Sequence, residues 1–158
     1  MENIHLTLKF IGNIELNTLE QLKAALASII ATRQEIAYNL EKFGVFPNVD
    51  HPRILWLGVK APIALIELVD MLEENAARYG IQRETRPFTP HLTLCRFNQD
   101  MDGTSIRGFM NSFSSALLNF SCEDSLNTIT VFKSILTPNG ALYTPITRFG
   151  MQKNPPSV

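Results

Sequence analysis

One short motif occurs twice in the sequence and carries residue types suited to acid–base chemistry. His5-Leu6-Thr7-Leu8 is repeated as His91-Leu92-Thr93-Leu94, and the chain contains only three histidines. In an extended strand, residues i and i+2 share a face, so each histidine lies beside its own threonine while the leucines point the other way. The repeat therefore predicts two imidazoles and two hydroxyls held on strands, able to converge if those strands lie close together.

This set of groups suits the hydrolysis of a cyclic phosphodiester. The reaction needs a base that takes a proton from water and an acid that protonates the leaving oxygen on the opposite side of phosphorus. Histidine, with an ordinary pKa of about 6.5, can serve in either role. Threonine hydroxyls can donate to the non-bridging phosphate oxygens. A single H-x-T is more often a polar strand position, but two copies with matching leucines favour the catalytic interpretation.

The elements that must position these motifs are a mixture of strands and helices. Strict alternation predicts a strand over Ile4–Gly12, and the second motif lies in a strand predicted over Phe88–Phe97. The mixture, which ends in a hairpin turn at Pro138-Asn139-Gly140, favours an α+β domain with antiparallel sheet. The other predicted strands are Ile36–Phe46, Arg53–Val59, Leu126–Leu136 and Ala141–Phe149, and the predicted helices are Thr18 to about Arg33 (capped by Thr18 or Asn17), Ile63–Tyr79 and Thr104–Leu118.

The overall composition is that of an ordinary soluble domain. A formal net charge of −1, from 14 basic and 15 acidic residues, argues against broad charge-driven binding to long nucleic acid but allows a pocket for one phosphate. The sequence has no apolar run of membrane-spanning length and no signal-peptide pattern, so we expect a cytoplasmic protein. Cys95 and Cys122 lack a metal-binding spacing and are expected to be buried, reduced thiols.

The doubled motif resembles the 2H phosphoesterase superfamily. Within it, the chain is most similar to the RNA 2′,3′-cyclic phosphodiesterases, also called the 2′-5′ RNA ligase or LigT-like family. Further segments that carry the resemblance are Pro52–Val59, Pro87–Arg96 and the closing run Phe132–Tyr143.

The resemblance implies a fold and an activity. The implied fold is bilobal, with two antiparallel sheets flanked by outer helices and a central cleft that receives one H-x-T motif from each lobe. We expect residues 1–151 to form this single domain and residues 152–158 to be a flexible tail. The implied reaction is metal-independent hydrolysis of a 2′,3′-cyclic phosphate, on RNA ends or small cyclic nucleotides, to a 2′-phosphate and a 3′-hydroxyl. No metal or other cofactor is implied.

The resemblance also implies roles for individual residues. His5 would protonate the leaving O3′ and His91 would activate water, although the reverse assignment is also compatible with the sequence. Thr7 and Thr93 would bind phosphate oxygens, and Arg96 matches the arginine that follows the second motif. Strict alternation places Arg96 on the face opposite His91, so a bulge or a strand end is needed to bring it to the phosphate. A surface ion pair is the alternative for Arg96.

The sequence departs from the family before the first motif. Relatives carry another strand and helix there, whereas Met1 stands four residues before His5. We therefore expect an open sheet edge and an uncovered apolar face, and either self-association through that edge or poor solubility. Two other functions stay open: 2′-5′ ligation of RNA ends at the same site, and a non-catalytic nucleotide- or RNA-binding module.

Other candidate residues have competing interpretations. His51 is expected in a solvated turn rather than in a three-histidine metal site, because no carboxylate cluster accompanies it. Lys9 either approaches substrate phosphates or lies on the solvated rim. Phe46, Trp56 and Tyr143 could stack on a base, but core packing is favoured for each.

Overall fold

The computed structural model describes residues 4–48, 50–97, 103–118, 120–137 and 140–154. Within these ranges, three helices and six strands form an α+β fold with two antiparallel sheets, so the predicted fold class is confirmed. The helices are α1 Leu16–Ile30, α2 Ile63–Ala77 and α3 Gly103–Leu118, and the strands are β1 Ile36–Phe46, β2 Ile54–Lys60, β3 His91–Arg96, β4 Ser121–Leu126, β5 Thr128–Thr137 and β6 Gly140–Gly150.

The chain forms two compact units, each assembled from three separate segments. Unit 1 comprises Met1–Leu8, Tyr38–Pro62 and Phe88–Asp124, and unit 2 comprises Lys9–Ala37, Ile63–Pro87 and Ser125–Val158. Both H-x-T motifs therefore belong to unit 1, whereas the sequence predicted one motif from each lobe. The physical reason is a direct antiparallel bridge between the first leucines of the two motifs, Leu6 and Leu92, which joins the first motif to strand β3.

Unit 1 is built on a four-stranded sheet with the strand order β3-β2-β1-β4. Strand β2 pairs antiparallel with β1 on one side and with β3 on the other. Leu57 and Val59 of β2 and Leu40 of β1 are buried, as is Ile106 of α3. Because side chains alternate along each strand, these buried leucines and valine define the core face of the sheet and leave the opposite face for polar groups.

A buried tyrosine secures the far side of this sheet. The hydroxyl of Tyr38 in β1 donates a 2.9 Å hydrogen bond to Oδ2 of Asp124 in β4. Burial, together with the hydrogen bond to the Asp124 carboxylate and its negative charge, raises the pKa of Tyr38 well above its usual range. The hydroxyl therefore stays protonated as the donor that links the two strands.

Unit 2 packs two helices with the β5–β6 hairpin. Helix α1 contacts both α2 and β6. The buried residues recur at helical spacing along α1 and α2, which explains why each helix presents one apolar stripe. These residues are Leu22, Leu26 and Ile30 of α1, Leu65, Leu68, Val69, Leu72 and Ala76 of α2, and Ile129 and Val131 of β5.

The strand predicted over Ile4–Gly12 is wrong in extent. Apart from the Leu6–Leu92 bridge, no residue of this segment is in a strand or bridge. Phe10, which continues the apolar alternation of Leu6 and Leu8, is 75% exposed. A strand needs a hydrogen-bonded neighbour along its length, and this segment is bridged to β3 only at Leu6. Three residues later, the Lys9 side chain is held by Glu73 and the Gln82 carbonyl.

Three smaller predictions also differ from the structure. Strand β4 was not predicted, because Ser121–Leu126 is mostly exposed and lacks the apolar alternation used to recognise strands. Helix α1 begins at Leu16 with Glu15 as its N-cap residue, so capping by Thr18 or Asn17 is wrong. Cys95 and Cys122 are free, as expected, but both are exposed rather than buried.

Residue 152, the first of the predicted tail, is hydrogen-bonded to the rest of the chain. Gln152 forms a parallel bridge with Gln34, and its side-chain amide donates to the Ala31 carbonyl at 2.8 Å. Residues 155–158 of the predicted tail lie outside the described residues, as do Pro138 and Asn139 of the predicted hairpin turn. Among the helices of the described ranges, none combines the length and apolarity that crossing a bilayer requires.

Candidate active site

The second motif occupies strand β3, where a bulge interrupts the regular pairing with β2. Leu55 pairs with Cys95, but the next residue of β2, Trp56, pairs with Thr93. One step along β2 therefore matches two steps along β3, and Leu94 is the extra, unpaired residue. A bulge of this kind shifts the alternation of side chains in the strand that contains it.

The bulge decides where Arg96 lies. Arg96 pairs with Ile54, and His91 pairs with Gly58. Ile54, Trp56 and Gly58 are separated by two residues each and so share one face of β2. Since paired residues lie on the same face, Arg96 is on the face of His91 despite their odd spacing. The structure therefore contains a bulge of the kind that the sequence analysis required for Arg96 to reach the phosphate.

The first motif adds its polar residues to the same face. An antiparallel bridge between the first leucines of the two motifs sets the flanking residues opposite each other in crossed order. Thr7 then lies opposite His91, and His5 lies opposite Thr93. Directly opposed residues have Cβ atoms about 5 Å apart and diagonal neighbours about 7–8 Å apart. By this register, His5 and His91 are diagonal neighbours across the bridge.

We name this surface the motif face, defined by His5, Thr7, His91, Thr93 and Arg96. Strand pairing places His91, Thr93 and Arg96 on it, and the register of the Leu6–Leu92 bridge adds His5 and Thr7, all within unit 1. The two histidines and two threonines are partly buried, whereas Arg96 is exposed. A cluster of imidazoles, hydroxyls and one guanidinium offers proton transfer together with hydrogen-bond donors to an anion.

The ring of His91 is oriented by a backbone carbonyl. Nδ1 of His91 lies 2.7 Å from the carbonyl oxygen of Thr89. A carbonyl oxygen can only accept, so Nδ1 carries the proton and Nε2 is the nitrogen available for chemistry. The sequence reasoning did not identify Thr89. The only sequence feature that could have pointed to it is its position two residues before His91.

Two aromatic side chains pack against the same imidazole. The ring centroid of His91 is 5.2 Å from that of Phe46 and 6.4 Å from that of Trp56, both in edge-to-face orientations. Phe46 and Trp56 also contact each other, with centroids 5.3 Å apart. These rings restrict the orientation of His91 in addition to the Thr89 hydrogen bond.

Gly44 makes room for the Trp56 ring and Gly58 for the Glu41 backbone, and the sequence reasoning missed both glycines. A Cβ at Gly44 would collide with the six-membered ring of Trp56, and a Cβ at Gly58 would lie 2.7 Å from the Glu41 carbonyl oxygen. Gly44 pairs with Trp56 across β1 and β2. Glycine inside a predicted strand is the available signal, because it often marks a close approach of another group.

Lys9 has a different role from either of the two expected. Its ammonium lies 2.7 Å from Oε2 of Glu73 and 2.7 Å from the Gln82 carbonyl oxygen, all within unit 2. The Lys9 side chain is only 9% exposed. Lys9 is therefore a structural cation paired with α2, because a nearly buried ammonium needs an anionic partner.

The remaining candidates do not join the motif face in the described residues. His51 is exposed in the turn between β1 and β2, where its backbone N–H donates to Oδ1 of Asn48. Tyr143 belongs to unit 2 and packs edge-on against Phe132. Across the described ranges, no group of three or more His, Cys, Asp or Glu side chains is arranged to hold a metal ion.

Comparison with known proteins identifies the family. The family model for LigT-like phosphoesterases matches residues 1–56 and 57–143 of the chain. The chain therefore belongs to the LigT-like phosphoesterase family, as the doubled motif suggested.

Individual relatives agree with this assignment. An RNA 2′,3′-cyclic phosphodiesterase of Aquifex aeolicus is 30% identical, over 94% of this chain and 78% of its own length. Another of that name, from Escherichia coli, is 31% identical over 95% of this chain and 77% of its own. The crystal structure of E. coli LigT complexed with 3′-AMP superposes with a TM-score of 0.69 at 27% identity, covering 95% of this chain and 78% of that one.

Proposed function

We propose that this protein hydrolyses terminal 2′,3′-cyclic phosphates of RNA or nucleotides to a 2′-phosphate and a free 3′-hydroxyl. The observation that carries the proposal is the Leu6–Leu92 bridge, whose register sets the two histidines and two threonines of the motifs across from one another. Relatives of similar sequence are named RNA 2′,3′-cyclic phosphodiesterases, and a structural neighbour is described in complex with 3′-AMP. Both facts support a substrate with a ribose phosphate end.

In the proposed reaction, a water oxygen attacks phosphorus while the P–O3′ bond breaks. The neutral imidazole of His91 takes the proton from water at Nε2, and the charged imidazole of His5 gives a proton to the departing O3′. Thr7 and Thr93 donate hydrogen bonds to the non-bridging oxygens, and Arg96 offsets their growing negative charge. No step requires a metal ion or a cofactor.

The test is turnover of adenosine 2′,3′-cyclic phosphate in the presence of a chelator. We expect chelator-resistant turnover that falls by roughly 10²–10⁴-fold in His91→Ala, the range that loss of a general acid or base produces. His51→Ala is the matched control, because His51 is exposed in a turn and should leave turnover unchanged. Equal loss in both variants, or nucleotide binding without turnover in the unaltered protein, would contradict the proposal.

The division of roles between the two histidines needs its own experiment. A substrate with sulfur in place of O3′ has a leaving group that departs as a thiolate, with a pKa of about 8.5, and hardly needs an acid. His5→Ala should therefore recover most of its rate on this substrate, whereas His91→Ala should remain impaired. The opposite pattern would reverse the assignment.

We further propose that the protein self-associates through the distal half of the β5–β6 hairpin. Ile135, Leu136 and Leu142 are 46%, 86% and 56% exposed there, and in the described residues β5 and β6 pair only with each other. Exposed apolar strand edges favour pairing with another chain. Light scattering across a concentration series should show a dimer or larger species that Leu136→Lys weakens, and a monomer throughout would refute this.

The cytoplasmic location likewise remains a prediction.

A further inference from the structure

Lys60 extends the motif face beyond the two histidines. It is the last residue of β2 and lies two positions after Gly58, the partner of His91. Residues two apart in a strand share a face and are separated by about 6.6 Å. Lys60 is exposed, so its ammonium is available to a ligand that leaves the phosphate site in this direction.

The surroundings of Lys60 leave its charge available. Among the ion pairs found within the described ranges, none engages Lys60. Its partner on β1 is the neutral Asn39. The closest carboxylate by register is Glu41, which pairs with Gly58 on the same face and whose Oε1 lies 3.9 Å from Nζ of Lys42. The face thus has a cation at each end: Arg96 on one side of the histidines and Lys60 on the other.

We propose that Lys60 binds the phosphodiester immediately upstream of the cyclic phosphate, so that the protein prefers an RNA end to a mononucleotide. This inference rests on the proposed function. A flexible four-carbon ammonium side chain can reach a phosphate one nucleotide away from the reacting one. The overall charge of −1 limits such binding to a short subsite rather than a long basic groove.

The experiment compares kcat/KM for adenosine 2′,3′-cyclic phosphate with that for the dinucleotide ApA bearing the same cyclic end. In Lys60→Gln, we expect a roughly three- to tenfold loss on the dinucleotide only, with a weaker dependence on salt. Glu41→Gln should change the dinucleotide value in the opposite direction. Lys23→Gln, which removes a partly exposed lysine of α1 in unit 2, is the control and should alter neither substrate.

The outcomes separate this inference from the proposed function. Equal losses on both substrates, or no loss on either, would overturn the Lys60 subsite while leaving the hydrolase proposal intact. If the unaltered protein turns over neither substrate, the hydrolase proposal fails. In that case, calorimetric binding of ApA 2′-phosphate and of 2′-AMP still decides the subsite, because Lys60→Gln should weaken binding of the dinucleotide alone.

Discussion

At the scale of single residues, chemistry at the motif face depends on which atom of each side chain is held in place. His91 has its proton fixed on Nδ1 by the Thr89 carbonyl, and Phe46 and Trp56 pack against its ring. The sequence could predict the histidine, because residue type and the repeated tetrapeptide are visible in it. It could not predict the carbonyl, because any residue supplies one and only the fold decides which carbonyl lies near the ring.

The ion pair of Lys9 was likewise beyond what the sequence could predict. Its spacing from His5 and Thr7 suggested a common face, but the chain turns into unit 2 and the ammonium binds Glu73. Glu73 is 64 residues away along the chain. Local alternation contains no information about a partner at that separation.

Lys9→Met should therefore destabilise the protein by about 2–4 kcal/mol, because it leaves the nearly buried Glu73 carboxylate without its cation. Urea unfolding measures this change. Lys23→Met is the matched control: its partner Glu20 is 65% exposed and one turn away, so its loss should cost less than about 1 kcal/mol. Equal, small effects in both variants would show that the Lys9–Glu73 pair contributes little.

At the scale of elements, a single extra residue in β3 organises the site. The bulge at Leu94 brings Arg96 to the face of His91. The sequence predicted that a bulge or a strand end was needed. It could not decide between them or locate the bulge, because a bulge is set by pairing with the neighbouring strand. The extents of β1 and α3 were predicted closely from their patterns. The strand predicted over Ile4–Gly12 was wrong in extent, because alternation does not show whether a segment has a neighbouring strand to pair with.

Gly44→Ala tests how the strands support the site. A methyl group at Gly44 would collide with Trp56, so the indole must move and the packing around His91 must change. We expect a loss of about 1–3 kcal/mol in stability and a changed emission spectrum. Trp56 is the only tryptophan, so fluorescence reports on it directly.

Gly108→Ala is the control for this substitution. Gly108 lies in α3 with nothing within 4 Å of an added Cβ, and alanine is the better helix former by about 1 kcal/mol. This variant should be as stable as the unaltered protein or more so, with unchanged emission. If Gly44→Ala behaved in the same way, the close packing of Trp56 on β1 would be contradicted.

At the scale of the whole molecule, neither compact unit is a continuous stretch of chain. Each is made of three segments that alternate with those of the other. We propose that residues 1–151 fold as one domain, because no single cut separates the units. Calorimetry should show one cooperative transition whose van't Hoff and calorimetric enthalpies agree. Two resolved transitions would contradict this.

Sequence reasoning reached the family, the fold class and the residues that gather on the motif face. It assigned the two motifs to different lobes, however, because the pairing of Leu6 with Leu92 is a long-range contact. The partition of a chain into units depends on such contacts, and neither composition nor periodicity contains them.

The most direct test is a crystal structure of the protein bound to a nucleoside 2′-phosphate, the proposed product. We predict that Nε2 of His91 and a ring nitrogen of His5 both lie within hydrogen-bond distance of oxygens of the same phosphate, or of the adjacent 3′-hydroxyl. A phosphate held by only one of the two rings, with the other directed away from it, would contradict acid–base catalysis by this pair.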